Sequence, residues 1–432
     1  MSRILTKNQG FSKYLPVTIL IGCGFFTMGL MDPLYDTYVP LFLKRYIGSN
    51  MAVGGLMTLD NVLQLCLIPL IAVWSDRTRT RIGRRMPFIV VMLPISAVLF
   101  SLIPSMAALS LGALIILLFI FNIFKTSVRG PVVALMPDTV PGDYRSEANG
   151  VINMMGGIGL IVGTLGLARL MGISENLPFV IAGICIMAAV IILFAFVREG
   201  TPKQPEEGAK TPLLSSIKEV LFTKRDPQGK IRDSSVPRIL FSLFFWFMAY
   251  EGAKPFLGLY LVESLKTAES NAALAQGLAG VSSVILAIPS GYLAHRLGRK
   301  RFIRLSLMIL AAILILIPIS GFFALRLGGS TAGVLILFLI LMFLYGALWI
   351  GVVVNSFPML WQMANFGNIG VYTGLYYTFS QSAAILAPPI TGGIIDIGGY
   401  QGIFIFGSLC MLIAWVIMGG VSAGEATGGE NG

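Results

Sequence analysis

The chain has 432 residues, 56% of them hydrophobic and 12% charged, with a formal net charge of +11. A soluble domain carries about a quarter charged residues, so the composition excludes a soluble globular protein. It points instead to an all-α membrane protein built as one integrated unit. The positive charges sit in short loops between long apolar runs. That pattern excludes nucleic acid as a partner and makes the lipid bilayer the expected one.

Twelve spans are predicted in chain order, at residues 15–41, 52–74, 87–105, 109–136, 147–170, 178–197, 237–262, 273–295, 302–324, 332–358, 371–396 and 401–421. No small-residue cleavage site follows the first apolar core, so span one reads as uncleaved. On the external side of the membrane this layout leaves only Lys44, Arg45, Arg169, Lys266 and Arg326. Most of the remaining Lys and Arg fall on the other side. The bias predicts cytoplasmic termini, and a cell (inner or plasma) membrane location is expected.

The loop between spans two and three, residues 74–88, reads W-S-D-R-T-R-T-R-I-G-R-R-M-P-F. Gly83 allows a sharp turn and Pro87 suits the first turn of the next helix. Residues 291–301 read G-Y-L-A-H-R-L-G-R-K-R, again between two apolar helices. Gly83 and Gly298 lie about half a chain length apart, the mark of a transporter built from two related halves. The expected division is residues 1–197, a cytoplasmic linker 198–236 with a short amphipathic helix at 211–221, and residues 237–432. The linker helix reads as a spacer on the inner surface. The glycine-rich tail reads as disordered.

The second loop resembles the G-x-L-a-x-R-x-G-R-[RK]-[RK] signature of the major facilitator superfamily. The first is similar to the longer form in its glycoside–pentoside–hexuronide:cation and sucrose/proton symporter branch. The resemblance implies two pseudo-symmetric six-helix halves and a cytoplasmic gate. That gate would use Asp76, Arg77, Arg81, Gly83, Arg84 and Arg85 in the first copy and Arg296, Gly298 and Arg299 in the second. Met136-Pro137-Asp138 and Arg145-Ser146-Glu147-Ala148-Asn149-Gly150 resemble the four–five loop of the same branch. Asp138, Arg145 and Glu147 would then pair with the arginines of the first loop and latch the cytoplasmic side. Alternatively, the acids cap helix ends. Span five carries Gly150, Gly156, Gly157, Gly159, Gly163 and Gly166, which suits close helix packing.

Ionisable side chains within spans are costly and are the first functional candidates. They are Asp32 and Asp36 one turn apart in span one, Asp60 in span two, Lys125 and Arg129 in span four, and Glu251 and Lys254 in span seven. Asp32, Asp60 and Glu251 are the proton-coupling candidates, because a buried carboxylate can take up and release a proton. Lys125 and Arg129 would hold such an acid ionised and contribute to substrate binding. Static ion pairs are the alternative for all of them. Asp36, nearest the outer surface, reads as a static pair or a snorkelling group. Sugar recognition needs aromatic faces and amides. Trp246, Tyr250, Trp349, Asn355, Tyr376, Tyr377 and Gln381 are candidates, each equally readable as core or lipid-facing.

By the same resemblance, Arg129 is similar to the span-four arginine of sucrose/proton carriers, about one turn earlier relative to Asp138 than in the plant form. The span-two acid pair of the sodium-coupled members is replaced here by Gln64 and Ile68, which favours protons. The expected function is sugar (glycoside or disaccharide):proton symport by alternating access. A proton-coupled exporter of drugs or organic anions is the first alternative, and a non-transporting sensor or scaffold the second. A monomer is expected. No enzyme activity, metal or cofactor is expected, because His295 is the single histidine and no nucleophile–base pair lies within spans. Cys23, Cys66, Cys185 and Cys410 read as buried small hydrophobes.

Overall fold

A computed structural model describes residues 11–141, 144–199, 234–326, 331–363 and 369–422. The amphipathic stretch at 211–221, the tail beyond residue 422 and the side chain of Arg145 lie outside the described residues. Regular structure among the described residues is helical throughout, apart from one isolated bridge between Thr80 and Gly83.

Helix α1, Leu15–Lys44, starts with proline in its first turn and runs on through Pro33 and Pro40. The predicted second span is divided at Thr58 into α2, Asn50–Met57, and α3, Leu59–Arg77, so that α3 takes Asp76 and Arg77 into the helix. Helix α4, Met86–Leu109, has proline in its first turn, as its missing N–H allows. Helix α5, Leu111–Thr139, is capped by Ser110, whose Oγ accepts from the Ala113 N–H at 3.2 Å. Helix α6, Arg145–Ile161, passes into a π turn, Val162–Gly166, and then a 3-10 turn, Leu167–Gly172. Helix α7 is Asn176–Phe196.

Helix α8, Ser235–Ala253, continues without a break through a 3-10 turn, Lys254–Phe256, an α turn, Leu257–Leu259, and a π turn, Tyr260–Ser264. The predicted span 237–262 is thus helical throughout but irregular in its second half. Four long helices follow: α9 Leu274–Leu297, α10 Arg299–Arg326, α11 Thr331–Gln362 and α12 Ile369–Gly398. The last is α13, Gly402–Gly419. Ten helices among the described residues are long and apolar enough to cross a membrane. Helices α8 and α12 stand where spans seven and eleven are predicted but are not among the ten. The first carries Arg238 and Glu251, and the second carries Thr373, Thr378, Gln381, Thr391 and Asp396.

The chain forms two compact units. The first comprises residues 1–49, 55–203 and 257–280, and the second residues 50–54, 204–256 and 281–432. In the first, α1 packs on α6 and α7, and α4 on α5 and α7. In the second, α8 packs on α12 and α13, and α10 on α11 and α13. These are the same pairings in the same chain order, which is what a duplicated six-helix unit produces.

Within the second unit, the Asp396 carboxylate accepts from the backbone N–H groups of Asn50 (2.7 Å) and Met51 (3.0 Å). Arg45 pairs with Glu175 at 2.8 Å and Glu269 at 3.4 Å within the first. The Glu175 hydrogen bond is the main influence raising the Arg45 guanidinium above its ordinary pKa.

The glycines of span five have a defined use. A Cβ at Gly29 would overlap the Gly156 carbonyl oxygen, and one at Gly159 would overlap that of Phe26. Helices α1 and α6 therefore cross with their backbones in contact, the approach that small residues permit in a membrane. Cys66 is exposed rather than buried, because it lies on the outward side of α3; Cys410 is buried.

Candidate functional site

Each of the two arginine-rich loop motifs is built on one positive-φ glycine, Gly83 at φ +111° and Gly298 at φ +86°. Only a residue without Cβ adopts this conformation cheaply. In the first copy the turn brings two arginines onto one acid. Arg84 Nε donates to Asp138 Oδ2 at 3.0 Å, and Arg85 Nε donates to the same oxygen at 3.0 Å. Arg85 also pairs with Asp76 and donates to the Ser75 hydroxyl. The Asp138 hydrogen bond is the main influence raising the Arg84 guanidinium above its ordinary pKa. Trp74 and Phe88, at the two ends of the motif, meet edge to face at 5.2 Å.

Arg77 and Arg81 lie exposed at the turn, and Glu147 lies exposed in the first turn of α6, where its charge suits the helix dipole. In the second copy the Arg296 guanidinium lies 4.6 Å from the centre of the Tyr292 ring, with half-buried Arg299 beyond the glycine.

Glu199 is a member of this motif that sequence reasoning missed. Its carboxylate accepts from three consecutive backbone N–H groups, those of Arg84 (2.7 Å), Arg85 (2.7 Å) and Met86 (2.6 Å). It thus satisfies the open donors at the start of α4 with a full negative charge. Its place as the lone acid just beyond span six was the available signal.

Asp138 is 13% exposed at its side chain and Asp76 is 53% exposed, so Asp138 is the stronger anchor. Arg84→Ala or Asp138→Ala is expected to lower turnover 5- to 150-fold, as loss of about 1–3 kcal/mol from one conformational state would. Asp76→Ala should do less, and insertion should be intact in all three. Wild-type uptake rates in both Arg84→Ala and Asp138→Ala would reduce the loop to a topology signal.

Inside the membrane, the first unit gathers its charges. Lys125 Nζ lies 2.7 Å from Asp32 Oδ1, and Arg129 Nη1 lies 3.8 Å from Asp32 Oδ2. Asp60 and Asp36 are within electrostatic range of the same lysine. Lys125, Asp36 and Asp60 are all buried. Asp36 therefore faces into the unit, and the snorkelling expectation is corrected: the helix turn that carries it is covered on all sides.

Lys125 Nζ also sits 4.8 Å from the centre of the Tyr35 ring, a cation–π contact. The Tyr35 hydroxyl accepts from Asn122 Nδ2 at 2.8 Å. Tyr35 and Asn122 were not foreseen. Asn122 stands one turn before Lys125, and a buried amide in an apolar span was the signal.

The second unit places Glu251 and Lys254 4.0 Å apart at the end of α8. Tyr250 stacks flat on Trp349, with centroids 4.2 Å apart and planes 3° from parallel. Tyr345, one turn earlier on α11, lies parallel to Trp349 at 6.5 Å.

The other substrate candidates are not gathered there. Trp246 is fully buried on α8. Asn355 Nδ2 donates to the Gly351 carbonyl of its own helix at 2.8 Å. The Tyr376 hydroxyl is 3.3 Å from the Ser356 hydroxyl. Gln381 is half-buried on α12, and Tyr377 is exposed. A cavity of about 290 Å³ between α8 and α12 is lined by Phe241, Phe244, Phe245, Thr378, Phe379 and Ser382 and holds no charge.

A family model described as Major Facilitator Superfamily matches residues 21–388. Among curated proteins, the class D tetracycline resistance protein of Salmonella ordonez is 26% identical over 297 residues, covering 67% of this chain and 68% of that protein. Among solved structures, a variant of the nucleoside transporter NupG superposes with a TM-score of 0.70 at 15% identity, covering 94% of this chain and 99% of that one. An inward-facing bacterial homologue of the iron transporter ferroportin gives 0.68 at 17% identity, covering 94% and 98%. At such identities these structures share the fold and nothing finer.

Proposed function

The chain belongs to the Major Facilitator Superfamily, and from that premise we propose that it is a sugar:proton symporter working by alternating access. Its general activity, moving a small molecule across a membrane without chemistry on it, follows from the family. The observation that carries the finer reading is the buried charge cluster on α1, α3 and α5. Asp32 has its charge compensated by Lys125 at 2.7 Å and Arg129 at 3.8 Å. Asp60, buried in the same cluster, is the group we assign to the coupling proton.

A carboxylate buried within an apolar span beside a cation is a group that can take up and release a proton, which supports proton coupling at Asp60. The stacked Tyr250 and Trp349 rings in the second unit support a substrate with an apolar ring face, as a pyranose has. The Lys and Arg distribution supports a cell-membrane location with both termini inside.

A second reading, proton-coupled drug export, is favoured by the tetracycline resistance relative. The test is a panel of radiolabelled sugars, with tetracycline beside them, in oriented proteoliposomes under an imposed pH gradient. Orientation is read from an impermeant thiol reagent on Gln204→Cys, which should be protected from the outside. Accumulation of a sugar driven by an acid exterior is expected. Gradient-driven expulsion of tetracycline with no sugar movement would replace symport by the second reading.

A further inference from the structure

The second unit contains a buried polar atom whose placement calls for a ligand. The Tyr345 hydroxyl is enclosed, its residue only 6% exposed, and it has no hydrogen-bond partner among the described residues. An orphaned hydroxyl in a buried site costs about 1–3 kcal/mol, so such groups are rare unless something absent completes them. Its surroundings are not those of a packing defect. Tyr345 lies within electrostatic range of Glu251 and Tyr250. One turn along α11, Trp349 carries the flat stack with Tyr250. Lys254 stands 4.0 Å from Glu251. An aromatic platform, a carboxylate, an ammonium and a free hydroxyl are thus gathered at the meeting of α8 and α11.

We infer that this is a substrate subsite and that Tyr345 is its specificity-determining residue, reading one ring hydroxyl of a neutral polyhydroxylated substrate. This rests on the sugar reading above and names the site through which it acts. A sugar hydroxyl both donates and accepts, so it can satisfy the phenol and the neighbouring carboxylate together. The apolar face of the pyranose lies on the exposed side of Tyr250, whose ring is half-buried. A quaternary ammonium would use the rings and Glu251 but would leave the Tyr345 hydroxyl unsatisfied, because it offers no hydrogen bond.

Tyr345→Phe keeps the ring and its stacking and removes only the hydroxyl. With radiolabelled sucrose and maltose as probes, the variant is expected to raise KM about tenfold for the transported sugar, with the maximal rate unchanged. The monodeoxy analogues of that sugar provide the second measurement. For one of them, wild type should already show the tenfold rise, and Tyr345→Phe should add nothing further, as a direct pair requires. If the variant weakens the parent sugar and every analogue by one common factor, Tyr345 is structural and the inference falls. If sucrose and maltose are not moved by wild type and tetracycline is, the sugar reading itself has failed, and this subsite assignment with it. The wild-type panel separates that case from a failure of Tyr345 alone.

Discussion

Asp60→Asn is expected to abolish accumulation of substrate while leaving exchange across the membrane intact. Under an imposed gradient of about one pH unit, a one-proton symporter can concentrate its substrate about tenfold. The variant should reach the external concentration and stop there. Asparagine occupies the same space and keeps the hydrogen-bonding capacity, but it cannot take and return a proton. Asp60 is buried in a cluster where Asp32 is already paired with Lys125. With the residue permanently neutral, the cluster is in its loaded charge state at all times, so substrate moves without the proton. The measurements are active uptake, counterflow and substrate-induced alkalinisation of the medium. Continued accumulation with continued alkalinisation would show that the proton travels elsewhere, and Glu251 would be the next group to test. Uptake driven by sodium in the wild-type protein would overturn the inference drawn from Gln64 and Ile68.

Lys125→Ala is expected to destabilise the first unit by about 3–5 kcal/mol, because it leaves Asp32 and its neighbours without their closest cation in a buried site. The ammonium is held by Asp32 at 2.7 Å and by the Tyr35 face at 4.8 Å. Arg129 at 3.8 Å is too exposed, at 42% of its side chain, to take over the charge. Removing the carboxylate as well should restore much of the loss, since a buried pair replaced together costs far less than one partner alone. The comparison is thermal unfolding in detergent of Lys125→Ala against Lys125→Ala/Asp32→Ala. The double variant should be the more stable, and still uncoupled. Equal stability of both with wild type would mean that the pair is a solvated contact without weight in the fold.

Much of the architecture was legible in the residues alone because it depends on local properties. Span position follows from runs of apolar residues that must cover a hydrocarbon layer. The two turns at Gly83 and Gly298 follow from a backbone conformation that only glycine reaches cheaply, and both take positive φ. The internal repeat needed only two short motifs to be seen, and it recurs in which helices pack together. The break of span two at Thr58 and the change to 3-10 and π geometry after α8 were not legible, because periodicity does not distinguish a regular helix from one interrupted by an irregular turn.

Asp32, Asp60, Lys125 and Arg129 could be named from sequence, since charge within an apolar span has no bland composition-level explanation. Which of them meet depends on how α1, α3 and α5 are rotated about their axes, and only packing sets that rotation. The backbone contact of Gly29 with Gly156 sets where α1 crosses α6 and helps place the Asp32 turn. The Glu199 cap on α4 and the parallel rings of Tyr250, Trp349 and Tyr345 likewise join segments far apart in the chain. Hydropathy and local conformation are properties of neighbouring residues, and the sequence by itself determined the spans, their order and the turns. The partner of each buried charge and ring is a property of helix faces brought together, and the tertiary structure alone decided it.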